Sequence, residues 1–168
     1  MNSYICKKQN PDETNDWNTP DYAWDAIASF IPRDKTVWLP FYNDGYAGDY
    51  LAKKGYSVIH RNEDFWKNDR GDCVVDNPPY KVKGIVKVKL RIMERLIKLN
   101  KPFCLLMPST CIQTKYFKNL CETHGKFQLI IPSGLVHFIN TKRPDSRCLF
   151  YTMWICWGMD FDNDLNFV

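Results

Sequence analysis

Cys73-Val74-Val75-Asp76-Asn77-Pro78-Pro79-Tyr80 is the stretch that decides how this chain folds. Cys73 to Asp76 is strand-like, and the two prolines cannot extend a sheet ladder because each lacks a backbone N–H. The polar Asn77 therefore stands at the carboxyl end of a strand, where open α/β sheets bind ligands. Five further apolar runs, rich in Val, Ile and aromatics, lie to either side: Thr36 to Leu39, Ser57 to His60, Pro102 to Met107, Phe127 to Ile131 and Cys148 to Trp157. Segments able to form helices separate them, an alternation that predicts an α/β domain with a largely parallel sheet.

Pro20 to Phe30 reads as a helix with Tyr22, Ala23, Ala26, Ile27 and Phe30 on one face and Thr19 as its N-cap. Ile85, Val86, Leu90, Met93, Leu96 and Ile97 give a second helical stripe, with Lys87, Arg91, Glu94, Arg95 and Lys98 between. The Lys101-Pro102 step ends that helix, because a residue before proline avoids the helical region. Gly45, Gly48 and Gly55 predict a turn-rich loop and a short helix ending at Gly55.

The length of 168 residues suits one domain, read as 1–168 with an N-terminal extension at 1–16 and an acidic, partly ordered tail at 160–168. No apolar run approaches the roughly 20 residues of a membrane span, and Met1 to Asp16 lacks the basic-then-apolar order of a secretory signal, so an intracellular setting without a membrane partner is expected. Seven cysteines, Cys6, Cys73, Cys104, Cys111, Cys121, Cys148 and Cys156, form no Cys-x-x-Cys pair; buried reduced thiols and no metal site are expected. Residues 1–80 hold 9 Lys/Arg against 13 Asp/Glu, whereas residues 81–147 hold 14 against 3. That asymmetry makes a polyanion partner plausible beside the plainer reading of a solvated basic face.

A four-residue string such as Asn77-Pro78-Pro79-Tyr80 arises by chance in a chain this long with odds on the order of one in a thousand. The residue types suit a conjugated amine, a poor nucleophile because its lone pair is delocalised. The Asn77 side-chain oxygen and the Pro78 carbonyl can accept hydrogen bonds from its two N–H groups and turn the lone pair toward an electrophile. The proline pair stiffens the carbonyl's support, and Tyr80 offers a flat face on which a base can stack. Lys81 and Lys83 follow at once, within reach of flanking phosphates, although an exposed loop needs no such role.

With these residues in view the chain resembles the adenine-N6 amino-methyltransferases, particularly the compact phage-type DNA adenine enzymes, over roughly residues 17 to 157. The resemblance implies a Rossmann-like class I fold, a mostly parallel seven-stranded sheet with helices on both faces, and S-adenosylmethionine as cofactor. It further implies methyl transfer to the N6 amino group of adenine in DNA, with the base flipped or single-stranded. Trp17-Asn18-Thr19-Pro20 is similar to that family's N-terminal Trp-x-Thr-Pro element, which implies cofactor contacts from Asn18, Thr19 and Pro20. Pro40-Phe41, then Asp44, Gly45 and Gly48, fall where the family has its glycine-containing cofactor loop; Leu39 stands where the acidic residue is usual. Asp64-Phe65 resembles the pair that flanks the cofactor's adenine, and His60, Arg61 and Asn62 occupy the positions where a ribose-binding acid is common. Asn77 to Tyr80 form the catalytic loop, with Asn77 also beside the cofactor; Tyr80, Lys81, Lys83 and Phe138 are candidates for holding the substrate, Phe138 equally suited to a buried strand.

No inserted target-recognition domain fits between these elements, so sequence choice is expected from loops, a homodimer or a heteromeric partner. A cytosine-C5 enzyme needs a cysteine nucleophile, commonly in a Pro-Cys step, and no Pro-Cys occurs. RNA adenine, a protein glutamine amide, or a nucleic-acid-binding module that has lost catalysis remain alternatives to DNA.

Overall fold

The computed structural model describes residues 17–142 and 150–168, and the expected extension at 1–16, with Cys6, and the segment holding Cys148 lie outside them. In chain order the elements are β1 (Trp17–Asn18), α1 (Asp21–Ala26), β2 (Thr36–Trp38), α2 (Tyr46–Lys53), β3 (Ser57–Ile59), β4 (Cys73–Asp76), α3 (Val88–Lys98), β5 (Phe103–Pro108), α4 (Lys115–His124), β6 (Phe127–Ile131), β7 (Ile139–Asn140), β8 (Thr152–Trp157) and β9 (Leu165–Phe167). Seven strands form a mixed, mostly parallel sheet in the order β3-β2-β4-β5-β8-β6-β9, and β1 pairs separately with β7. Within the seven-stranded sheet of the described residues only β8 runs against its neighbours, antiparallel to both β5 and β6, and β1 and β7 are antiparallel to each other.

Alternation along the central strands divides the core into two layers. Val74, Phe103, Leu105, Met107 and Ile155 pack with Ile92, Met93 and Leu96 of α3 and Phe117 and Leu120 of α4. Cys73, Val75, Cys104, Leu106 and Trp154 face the other way, toward Ala23 and Trp24 of α1 and Leu51 of α2. Helices thus cover both faces, and β4 and β5 are buried on both sides, as strands in the middle of a parallel sheet are.

Several expectations need correction. The first helix stops at Ala26 and continues as a 3-10 turn over Ala28–Phe30, with Pro20 rather than Thr19 at the N-cap. Its buried face is Ala23, Trp24 and Ile27, while Tyr22 is 51% exposed, because the large Trp24 ring takes the core position against Trp154. The second helix begins at Val88, so Ile85 and Val86 belong to the loop before it. The C-terminal segment is not a loose tail: β9 pairs in parallel with β6, and Gln128 secures the approach by donating to the carbonyls of Phe161 and Asn163 at 2.7 and 3.0 Å. Six of the seven sheet strands come from the apolar runs, and β9 is the seventh.

Cys73, Cys104, Cys111 and Cys156 are buried free thiols, and Cys121 is half-buried. Among the described residues no helix is long and apolar enough to cross a membrane.

Candidate ligand cleft at the carboxyl ends of β2 and β4

Strands β2, β3 and β4 run parallel, so their carboxyl ends share one rim of the sheet. β1 and the start of α1 lie over that rim, and together they form a small, half-open cleft lined by Trp17, Asn18, Thr19, Trp24, Phe41, Tyr42, Asn43, Asp44, Ala47, Asp76 and Asn77.

Asp76 organises the rim. Its side chain is 2% exposed, and its two carboxylate oxygens accept hydrogen bonds from the Phe41 and Asn77 backbone N–H groups, each at 2.7 Å. One carboxylate therefore ties the loop after β2 to the loop after β4. Burial pushes this carboxyl well above the usual carboxylate range, and the two N–H groups oppose that shift without cancelling it.

Asn77 is held from the opposite wall. Its Nδ2 donates to Thr19 Oγ1 at 3.1 Å, which places the amide, and its Oδ1 is buried with no hydrogen-bond partner. Thr19 serves this contact rather than capping α1. A buried acceptor without a partner is costly, on the order of 1–3 kcal/mol, and beside a cleft such an atom is available to a donor from a ligand. Trp24 Nε1, on another lining residue, is likewise buried and unpartnered.

A polar relay closes the outer wall. Asn43 Nδ2 donates to Asn18 Oδ1 at 2.6 Å, Asn18 Nδ2 donates to Asp44 Oδ2 at 2.8 Å, and Asp44 Oδ1 receives the Tyr46 N–H at 3.1 Å. The loop can turn here because Gly45 sits at φ 94°, where a Cβ would meet the Tyr42 hydroxyl at 2.9 Å. Gly48 answers a different need. A Cβ there would lie 2.4 Å from His60 Cδ2, so α2 passes directly over the imidazole. That ring stacks on Tyr42, its Nδ1 lies 2.8 Å from the Leu39 carbonyl, and burial holds its pKa below the ordinary histidine value.

Of the residues expected at the cofactor, the cleft brings together Asn18, Thr19, Phe41, Asp44 and Asn77; Pro20, Pro40, Gly45 and Gly48 are not among its lining residues. Asp64 and Phe65 are not brought there. Phe65 is fully buried against Trp38 and Phe41, and Arg95 of α3 donates to its carbonyl at 3.1 Å; Asp64 caps the following turn by accepting the Trp66 N–H at 2.9 Å. The segment after β3 is thus stitched to the α3 face, because its aromatic residue gains more from the core than from the rim. Sequence reasoning missed Trp17, Trp24, Tyr42, Ala47 and Asp76 as lining residues. For Asp76 a signal existed, since an acid ending an otherwise apolar strand must find partners.

Tyr80 and Phe138 do not line this cleft. Tyr80 donates its hydroxyl to the Leu106 carbonyl at 3.1 Å, and its ring stands edge-on to Phe150 at 5.7 Å; Phe150 in turn lies 6.5 Å from Phe138. Phe138 is buried and Phe150 is 39% exposed, so the outward aromatic joining the two expected substrate residues is Phe150. Lys81 and Lys83 are exposed. The basic stretch from 81 to 101 is less free than its composition implies: Lys89 donates to the Tyr80 carbonyl, Arg95 to those of Phe65 and Asn68, and Lys101 to that of Gly71.

Fold and cleft together define an α/β protein with a cleft at the carboxyl ends of parallel strands. No protein-family model, curated protein or solved structure matches the chain.

Proposed function

We propose that this chain is a Rossmann-like class I methyltransferase that uses S-adenosylmethionine to methylate the N6 amino group of adenine in DNA. The observation that carries the reading is the buried, unpartnered Oδ1 of Asn77 beside the cleft, with the amide oriented by Thr19. An acceptor fixed in advance at that point suits an amine that becomes nucleophilic only as its N–H bonds are engaged.

The residues present fit the methionine end of the cofactor. Asp44 supplies negative charge for an ammonium, and the Trp17, Trp24, Phe41 and Tyr42 rings supply aromatic surface that favours a sulfonium cation. Bound there, S-adenosylmethionine supplies an electrophilic methyl group. Asn77 Oδ1 accepts one N–H of the adenine amine and the Pro78 carbonyl accepts the other, which draws the nitrogen lone pair out of conjugation. Asp76 keeps Asn77 in register with Phe41 through its two N–H contacts. Tyr80 and Phe150 offer the faces on which the extruded base rests.

The testing experiment is transfer of labelled methyl from S-adenosylmethionine to DNA, RNA and protein in parallel. Label on DNA, recovered as N6-methyladenine, is the expected result; label on protein glutamine or RNA alone redirects the substrate, and none on any of them rejects the activity.

A second reading, a DNA-binding module without catalysis, is favoured by one observation: Asp64 and Phe65 are committed to the core side and offer nothing to an adenosine. Titration calorimetry with S-adenosylmethionine separates the two, since only the enzyme binds it.

A further inference from the structure

The loop from 81 to 88, immediately after Asn77 to Tyr80, presents one apolar position that neither the cleft nor the core uses. Val82 is 6% exposed and Ile85 packs on the same core layer, and the two form a β-bridge closed by the Ile85 N–H donating to the Val82 carbonyl at 3.1 Å. Gly84 turns the chain at φ 79°, and Lys87 enters α3 from a left-handed φ of 55°, a conformation that costs a non-glycine residue stability. Between the anchored Ile85 and the strained Lys87 stands Val86, 73% exposed and the most exposed large hydrophobic side chain among the described residues.

Its surroundings are cationic. Lys81, Lys83 and Lys87 are exposed, and no acidic residue occurs between Asn77 and Met93. An apolar tip ringed by lysines suits a partner that pairs dense negative charge with a flat apolar interior, the combination a stacked duplex presents. Valine also has a stiff χ1 and so loses little side-chain entropy on insertion.

We propose that Val86, presented by the lysine-flanked loop 81–88, is a wedge that enters a DNA duplex beside the catalytic loop and fills the space left by the extruded adenine. The proposal rests on the DNA adenine reading and adds that the natural substrate is double-stranded. Enzymes that act on a base must unstack it, and an apolar side chain between base steps offsets part of that cost.

The test compares the parent with Val86→Ser and Val86→Leu, each checked for folding by circular dichroism. Substrates are DNA of mixed sequence, native or heat-denatured, and duplex carrying 2-aminopurine scattered in place of adenine. Val86→Ser is expected to lower methyl transfer to native DNA by about tenfold while leaving transfer to denatured DNA unchanged, and Val86→Leu to restore it. Equal loss on both substrates, or no loss on native DNA, overturns the wedge. If the parent methylates neither substrate, the adenine-methyltransferase reading fails by itself, and 2-aminopurine fluorescence then decides the wedge alone. A rise with the parent that Val86→Ser abolishes at saturating protein supports it. No rise, an equal rise with the variant, or no duplex binding overturns it.

Discussion

Two stretches on the same rim of the sheet behave in opposite ways. After β4 and β2, polar side chains turn toward the cleft and hold one another across it: Asp76 grips Phe41 and Asn77, Thr19 grips Asn77, and Asn18 grips Asp44. After β3, the chain turns its aromatic residue into the core, and its acids engage local partners, Glu63 with Arg70 and Asp64 with the following turn. A rim position is therefore not a site by itself. Buried atoms without a partner occur on both stretches, Asn77 Oδ1 on the first and His60 Nε2 and Trp66 Nε1 on the second, but of these residues only Asn77 lines the cleft.

The sharpest way to break this contrast is Asn77→Ala. If Oδ1 is the acceptor that activates the amine, methyl transfer falls on the order of 100- to 1000-fold while cofactor affinity stays within a few-fold of the parent. Label transfer and titration calorimetry measure the two quantities, and a folded variant turning over near the parent rate shows the motif to be structural.

Asp76→Ala strands two buried N–H groups and is expected to lower stability by about 3 kcal/mol in urea unfolding, whereas Asp76→Asn retains an acceptor and loses less. Equal stability of both variants and the parent would mean that the two loops hold together without the carboxylate. Gly48→Ala sharpens the β3 side. Its Cβ collides with an imidazole that Tyr42 and the Leu39 carbonyl prevent from moving, an overpacking cost of about 1–3 kcal/mol, readable as a lower thermal midpoint.

Tyr80→Phe removes the hydroxyl's bond to Leu106 and should cost roughly 1 kcal/mol of stability with little change in rate. Tyr80→Ala also loses a stacking face, worth roughly 1–3 kcal/mol of substrate affinity.

The smallest effect concerns pH. Burial lowers the His60 pKa, so the unfolded chain takes up a proton before the folded one does as pH falls below the ordinary histidine value near 6.5. His60 thus contributes stability that is fully present above that value and is lost as pH falls through the depressed folded value. Between pH 7.5 and 5, the parent's thermal midpoint should fall further than that of His60→Phe; equal falls would assign the acid sensitivity to other groups.

What was legible in the sequence follows from local chemistry. Cys73 to Asp76 reads as a strand because its residues suit burial on both faces, and Asn77-Pro78-Pro79 reads as its end because proline cannot extend the ladder. The segment before Gly55 reads as a helix for a similarly local reason. The misreadings are equally physical. Ile85 and Val86 continue the apolar period of α3, yet the turn at Gly84 and the left-handed Lys87 delay the helix. Leu165 to Phe167 reads as part of a polar end, and only the open edge of β6 makes it a strand.

The sequence by itself determined the alternation of strands and helices, the place of the Asn-Pro-Pro-Tyr loop at a strand end and the basic character of the residues after it. These depend on neighbours a few positions away, where periodicity and proline geometry act. Tertiary structure alone decided that Thr19 would hold Asn77 across 58 residues of sequence and that Asp76 would bind Phe41 across 35. It also turned Phe65 into the core and joined Tyr80 to Phe138 through Phe150. Such pairings depend on strand order, which brings distant loops to one rim, and on competition between core and cleft for each side chain.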